Sequence, residues 1–467
     1  MPLILGTNSI KDTSYNVANS LRFNDDSSDF LNRTPSSAGN RRTFTISAWV
    51  KRGQVTTNSF LFGAWTADND AGHFAFGFES AERLTVDTYS TNLLTSTRVF
   101  RDPNAWYHVV CAVDTTSGTA DQRVRLYVNG TEETVFSTRN NPSQNADLQA
   151  NNSVIQVVGA NYYNSQANVT HDGYMAEFCM IDGQQLDATS FGEFSEDSPN
   201  IWIPKDVSGL TFGTNGFYLD FENSGSLGAD VSGNSNNFTV NNLTSVDQST
   251  DTCTNNFCTL NPLLDVYNPA IFSNGNLTAT GSGSGNGRYA FSSFAVANGK
   301  WYYEVKVTVA GSNPYVGVID AQSTLRRNSI YFVAAASGTN QSGYAVNMTG
   351  DIYHNNSNSY AANISNTSTG DILGFAIDLD SAQRTCEIYR NGSSQRSFNL
   401  DEPTSGFYLL GASSTYNQSS AVADMNFGSP AYAISSGNQD GNGYGNFEYA
   451  VPSGYFALCT KNLAEYG

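Results

Sequence analysis

Apolar and polar residues alternate along much of this chain, the period-two pattern of strands that bury one face. Between Thr43 and Lys51, the residues Phe44, Ile46, Ala48 and Val50 fall on one face and Trp49 on the other. Between Gln122 and Asn129, Val124, Leu126 and Val128 alternate with Arg123, Arg125 and Tyr127, and the run ends in Asn129-Gly130. Asn-Gly supplies two residues that tolerate positive φ, as a type I′ hairpin requires, so Thr131 to Phe136 is predicted as the return strand. The construction recurs. Leu373, Phe375, Ile377 and Leu379 share a face, and Thr385 to Arg390 runs into Asn391-Gly392. Many short strands punctuated by polar turns, with little helical periodicity, predict an all-β chain. The repeated hairpin predicts two tandem antiparallel β-sandwich domains.

The length supports two domains, because a single core stops growing at roughly 250–300 residues and the chain has 467. The expected organisation is an N-terminal anchoring segment over 1–19, a sandwich over 20–245, a linker over 246–264, a second sandwich over 265–430 and a tail over 431–467. Ala270 to Thr280 reads as a strand pair turning at Ser273-Asn274-Gly275-Asn276, and the run from Gly281 to Gly285 as a loop inside the second domain. The apolar end of the tail, Tyr455 to Thr460, is expected to pack on its own domain.

Charge changes the picture by exclusion. The net charge of −19 argues against nucleic acid, whose phosphates need a basic patch, and serves solubility. The six cysteines are too dispersed for a disulfide framework and the four histidines too scattered for a zinc site, so thiols are expected. The N-terminus has no charged n-region, and no window approaches the ~18 apolar residues of a membrane span. The expectation is a protein made in a host cytoplasm without membrane insertion, released by another route such as assembly into a virus particle freed by lysis.

Ordered motifs then add a resemblance. Ser20-Leu21-Arg22-Phe23, Phe44 to Lys51, Trp106-Tyr107-His108-Val109-Val110, Tyr127-Val128-Asn129-Gly130, Gly173 to Phe178 and Asp182-Gly183-Gln184-Gln185-Leu186 together resemble laminin G-like and concanavalin A-like lectin/glucanase domains. Gly299 to Val305, Tyr315-Val316-Gly317-Val318, Gly370 to Asp378 and Tyr389-Arg390-Asn391-Gly392 resemble a SPRY domain. Both resemblances imply jelly-roll sandwiches of the concanavalin A-like kind. The pairing, with Trp202-Ile203-Pro204-Lys205, Asp230 to Asn234 and Gly454 to Thr460, is similar to structural proteins of marine bacteriophage virions. That resemblance implies a particle component; the partners expected are other virion proteins, and a homo-oligomer in the particle is expected.

Catalysis is not expected. Glycosidases need carboxylates paired across a cleft; no Glu-x-Asp-x-x-Glu strand occurs, and Glu193, Glu196 and Asp197 have other spacings. Nor does a Gly-x-Ser-x-Gly elbow appear. Binding needs only loops at a sandwich edge with aromatic and hydrogen-bonding side chains. The candidates are Trp65, Asp68, Asp70, Tyr162, Tyr163 and His171 in the first domain, and Tyr344, Tyr353, His354 and Tyr360 in the second. Trp49, Trp106 and Trp301 sit in strand patterns and read as packing residues. Some laminin G-like domains bind Ca²⁺ through rim aspartates, and that resemblance marks Asp114 and Asp172 as candidate ligands. No other cofactor is expected. The function expected is a tail- or capsid-attached virion protein that presents lectin-like domains to a host-surface glycan or protein. The alternatives are a purely structural virion protein docking its neighbours through the SPRY-like domain, and a carbohydrate-binding adhesin of a cell surface.

Overall fold

The computed structural model describes residues 15–264, 269–281, 288–309, 314–322, 343–354, 357–415 and 422–467. Most of the expected N-terminal anchor, and residues 282–285 of the Gly/Ser loop, lie outside the described residues. The chain forms two compact units, the first closing at Thr254 and the second beginning at Asn255. Both are β-sandwiches built almost wholly of antiparallel strands.

In the first unit the strand Thr43–Arg52 sits between Trp106–Asp114 and Gly173–Asp182 at the centre of an eight-stranded sheet. Phe44, Ile46, Ala48 and Val50 face inward onto Phe62, Phe74, Phe76 and Phe78 of a second eight-stranded sheet. Trp49 packs on the outer face with Val110, Tyr127 and Trp202. Asn129 and Gly130 adopt φ of 47° and 78°, and Val128 pairs with Thr131 as the expected hairpin requires. The return strand is shorter than expected, ending at Glu132. Beyond Glu132 the chain crosses to the other sheet. There Phe136–Arg139 pairs with Asn92–Val99.

One irregularity stores charge in the interior. The strand Gly173–Asp182 pairs Ala176 with Trp49 and Cys179 with Ser47, so Glu177 and Phe178 together oppose Ala48 as a bulge. Glu177 has φ of 51° and a buried carboxylate that accepts hydrogen bonds from the Tyr218 hydroxyl at 2.6 Å and the Tyr15 hydroxyl at 3.3 Å. Burial pushes its pKa up to about 7 from 4.5, and burial pushes Asp87 up to about 7 as well. The folded state thus holds these protons more tightly than the unfolded chain. Each group's contribution is fully present below the unfolded pKa and lost as pH rises to 7, on the order of 3 kcal/mol per group. Glu177→Gln is expected to leave the melting temperature at pH 4 unchanged and raise it at pH 8. An equal shift at both pH values in melting curves contradicts this.

Residues 246–264 do not form a linker. Gln248–Ser249 extends the first sheet beside Ser20–Phe23, and the Asp251 carboxylate pairs with Lys51 Nζ at 2.6 Å, each side chain 1% exposed. Past the boundary, Cys258 and Leu260 enter the core of the second unit. All six cysteines remain thiols.

In the second unit Lys300–Val309 lies between Ile372–Asp378 and Val422–Asn426. Trp301, Tyr303 and Val305 face inward with Leu373, Phe375, Ile377 and Leu379, and the Tyr303 ring stacks on Phe375 at 4.8 Å. The facing sheet runs through Tyr408–Thr415, Pro314–Asp320, Gly343–Val346, Ile352–His354 and Ser357–Ala361. The predicted strand pair forms between Ile271–Ser273 and Thr278–Thr280. The tail packs on this unit: Phe447, Ala457 and Cys459 cover Tyr302 and Ala376 on the outer face of the first sheet. Buried Glu304 fastens it by accepting from Glu448 N at 3.0 Å and Tyr449 N at 2.9 Å. Phe456–Ala457 departs from the antiparallel pattern, running parallel to Trp301–Tyr302.

Candidate binding rim

The predicted residues of the first domain converge in part. Trp65 ends the strand Ser59–Trp65 and is half-exposed. Its neighbours Phe62 and Ala64 face the core, so by alternation Gly63 and Trp65 face outward. The hairpin Asn161–Tyr163/Gln166–Asn168 folds over that outer face. Gly63 permits the approach, since a Cβ there would meet the Ala160 carbonyl oxygen and Tyr162 N at 3.1 Å. Tyr162 thereby reaches Trp65, ring centroids 5.6 Å apart and planes at 51°. Its hydroxyl donates to the Ser165 carbonyl at 3.0 Å, which holds the ring to its own hairpin. Asp68 completes the group. Its Oδ1 accepts from Trp65 Nε1 at 2.7 Å and from Asn164 N at 3.0 Å.

A branched side chain at position 63 would lift the hairpin and part the two rings, with overpacking costing roughly 1–3 kcal/mol. Gly63→Val is expected to keep the core strands protected in hydrogen exchange while the amides of 161–168 lose protection. Unchanged protection across the hairpin contradicts this placement.

Asp70 lies beside the group in another role. It accepts from Ser90 N at 2.6 Å and from the hydroxyls of Ser90, Thr91 and Thr88 at 2.9–3.0 Å. The Ser90 N–H, followed by these hydroxyls, pulls its pKa down to about 2. With its lone pairs engaged, Asp70 holds the 88–91 turn rather than a ligand. Tyr163 is half-buried on the hairpin and by alternation faces away from Tyr162. His171 is not at the surface at all. It is fully buried against Phe23, with Nδ1 2.7 Å from Ser59 Oγ, and burial pulls its pKa down to about 3.

Sequence reasoning missed His73, Tyr89, Asn161 and Asn164. His73 pairs with Trp65 across the ladder and so shares its face, while Tyr89 meets the His73 ring at 6.2 Å. Only the strand register brings them together, and no local motif announces it.

The four residues of the second domain are not a common rim. Tyr344 and His354 are directly paired and stack at 4.0 Å inside the sandwich, with Tyr360 and Phe398 against them. Tyr344 Oη accepts from Asp401 N at 2.9 Å, and His354 Nε2 lies 3.3 Å from Asp401 Oδ2. This is a packed aromatic block that reaches the surface through half-exposed Tyr360 and exposed Asp401. Tyr353, one residue out of phase, packs on the opposite face against Tyr315 at 5.1 Å.

Asp114 and Asp172 do not fit one Ca²⁺ ion. Thr43 pairs with Asp114, whereas Arg52 pairs with Gly173, next to Asp172. The two carboxylates therefore stand at opposite ends of a ten-residue strand, roughly 30 Å apart at ~3.3 Å per residue. Asp114 also accepts from Thr116 N at 3.0 Å and Thr116 Oγ1 at 2.6 Å, an Asx turn. Among the described residues, no group of three or more His, Cys, Asp or Glu side chains is gathered as a metal site.

Ser47 Oγ lies 2.9 Å from His108 Nε2, the contact of a nucleophile with its base. The chemistry runs the other way. His108 Nδ1 accepts from Trp202 Nε1 at 3.1 Å, so the neutral ring carries its proton on Nε2 and donates to Ser47. The ring is fully buried between Trp49 and Trp202, which pulls its pKa down to about 3. A groove of about 470 Å³ lies elsewhere, lined in part by Asp121, Glu132, Glu133, Val135, Phe136 and Arg139. Its acids are each paired with an arginine, which leaves little charge to orient a ligand.

Comparison with known proteins places these features. Residues 25–184 match the concanavalin A-like lectin/glucanases superfamily, and residues 300–427 match the SPRY domain. A native heptameric SAP-like pentraxin from Limulus polyphemus is similar over 37% of this chain and 80% of its own, at 15% identity and a TM-score of 0.28. A putative carbohydrate binding protein from Bacteroides ovatus is similar over 49% of this chain and 59% of its own, at 16% identity and a TM-score of 0.33. A human SPRY domain is similar over 34% of this chain and 94% of its own, at 15% identity and a TM-score of 0.24. No curated protein matches the sequence.

Proposed function

We propose, for a chain that carries a concanavalin A-like domain followed by a SPRY domain, the function of a non-catalytic attachment protein of a virus particle that binds a host-surface glycan. The observation that carries the binding is the outward Trp65–Tyr162 pair with Asp68 fixed beside it. Sugars offer apolar ring faces and hydroxyl donors, and an aromatic platform next to a pre-positioned carboxylate meets both. Weak single sites suffice in such a protein, because many linked copies raise avidity by roughly 10² to 10⁴. The particle context rests on the resemblance of the domain pairing to phage structural proteins.

Antibody labelling of purified particles, with adsorption measured in the presence of fragments raised against the first domain, tests this reading. The expected result is labelled particles whose adsorption is blocked. Labelled particles that adsorb normally would assign the chain a scaffolding role, with the SPRY domain docking a neighbouring particle protein. A chain found on cells and absent from particles would make it a cellular adhesin.

A further inference from the structure

We infer that the rim of the first domain takes a neutral glycan that offers hydroxyl donors, and discriminates against glycans bearing carboxylate or sulfate. This rests on the attachment reading and narrows it to a ligand class.

Two acceptor atoms stand at the rim. Both hydrogen bonds to Asp68 fall on Oδ1, and Oδ2 takes none among the described residues, which leaves it to accept from a ligand. His73 supplies a second acceptor. Asn161 Oδ1 takes the Tyr162 N–H at 2.7 Å, which orients the amide, and the same oxygen lies 2.7 Å from His73 Nε2. Nε2 therefore carries the ring's proton and Nδ1 keeps a lone pair. Nδ1 is buried and has no hydrogen-bond partner among the described residues, a costly state for a polar atom. Burial also lowers the His73 pKa from its ordinary value, which keeps the ring a neutral acceptor at pH 7. The side chain is only 3% exposed and shares the face of Trp65. The ring against it is Tyr89, 45% exposed in the 88–91 turn, and exposed side chains change rotamer within nanoseconds. On this reading Tyr89 swings aside as a ligand reaches the His73 lone pair.

The charge at the rim has one sign. Asp70 stays ionised on its bracket of hydroxyls beside Asp68, and among the described residues no ion pair engages either carboxylate. A hydroxyl-rich ring can donate to Asp68 Oδ2 and His73 Nδ1 while lying on Trp65 and Tyr162. An anionic substituent finds two acceptors and two negative charges.

The test is the full chain, displayed multivalently, on a glycan array that pairs each neutral core with its sialylated, sulfated and uronate-bearing counterparts at physiological salt. Binding is expected on neutral glycans and at least about ten-fold weaker on the acidic partners. Asp68→Asn, at an exposed position, is expected to shrink that ratio, and His73→Phe to weaken neutral binding several-fold. Equal or stronger binding of acidic glycans overturns this inference and leaves the attachment reading standing. Failure to bind any glycan overturns the attachment reading itself.

Discussion

Replacing Asp251 with alanine is expected to destabilise the first unit by about 3–5 kcal/mol, because it strands a buried lysine without its counter-charge. Lys51 is 1% exposed and its Nζ meets Asp251 Oδ2 at 2.6 Å. The other carboxylate oxygen accepts from Trp106 Nε1 at 3.1 Å, and the Tyr174 ring lies 5.5 Å from the ammonium. Both side chains are 1% exposed, so water does not reach the pair while the sheet stays closed. For a unit of this size each kcal/mol moves the melting temperature by about 2–4 °C, so a fall of roughly 10 °C is expected in calorimetry. The matched replacement Lys51→Met with Asp251→Leu removes both charges and should recover most of the loss. If Asp251→Ala melts within about 2 °C of the parent, the ion pair does not hold residues 249–254 to the sandwich.

Trp65→Ala is expected to have the largest effect on binding. The indole supplies half of the stacking platform and also donates the 2.7 Å hydrogen bond that orients Asp68. Truncating a central aromatic anchor of this kind costs about 2 kcal/mol or more, roughly thirty-fold in affinity. Stability should change little, since Trp65 is half-exposed and lies outside the inner core. Trp65→Phe separates the two contributions by keeping a ring while losing the indole N–H, and is expected to fall between parent and Trp65→Ala. The measurement must be monovalent, by titration calorimetry or by chemical-shift changes, because avidity would mask a thirty-fold loss. Unchanged monovalent affinity in Trp65→Ala would remove the rim from the binding mechanism.

The sheets were legible in the sequence because strand faces are a local property. Phe44, Ile46, Ala48 and Val50 alternate into the core as the pattern predicted, and both Asn-Gly pairs adopt the positive φ their hairpins need. What lay outside the local pattern was less legible. Asp251 looked like part of a polar linker because its partner, Lys51, is 200 residues away. The Glu177 bulge is hidden in a run that reads as a continuous strand, since the Tyr15 and Tyr218 hydroxyls that meet its carboxylate are distant in sequence.

The candidate sites divide on the same ground. Residue type and loop position point to Trp65, Asp68 and Tyr162, and the structure brings them together. His171, Tyr344 and His354 are of the same residue types but are buried. Composition cannot tell a tyrosine on a rim from one in a core, and strand register decides it. Register likewise places Asp114 and Asp172 at opposite ends of one strand, so they do not share one ion.

A structure of the full chain with the glycan that binds best in array screening tests the Trp65 rim most directly. The expected structure has one sugar ring lying on Trp65 and Tyr162, with a hydroxyl within hydrogen-bond distance of Asp68 Oδ2. A sugar bound in the groove around Phe136 and Arg139, or on the second unit with the Trp65 rim empty, would contradict it.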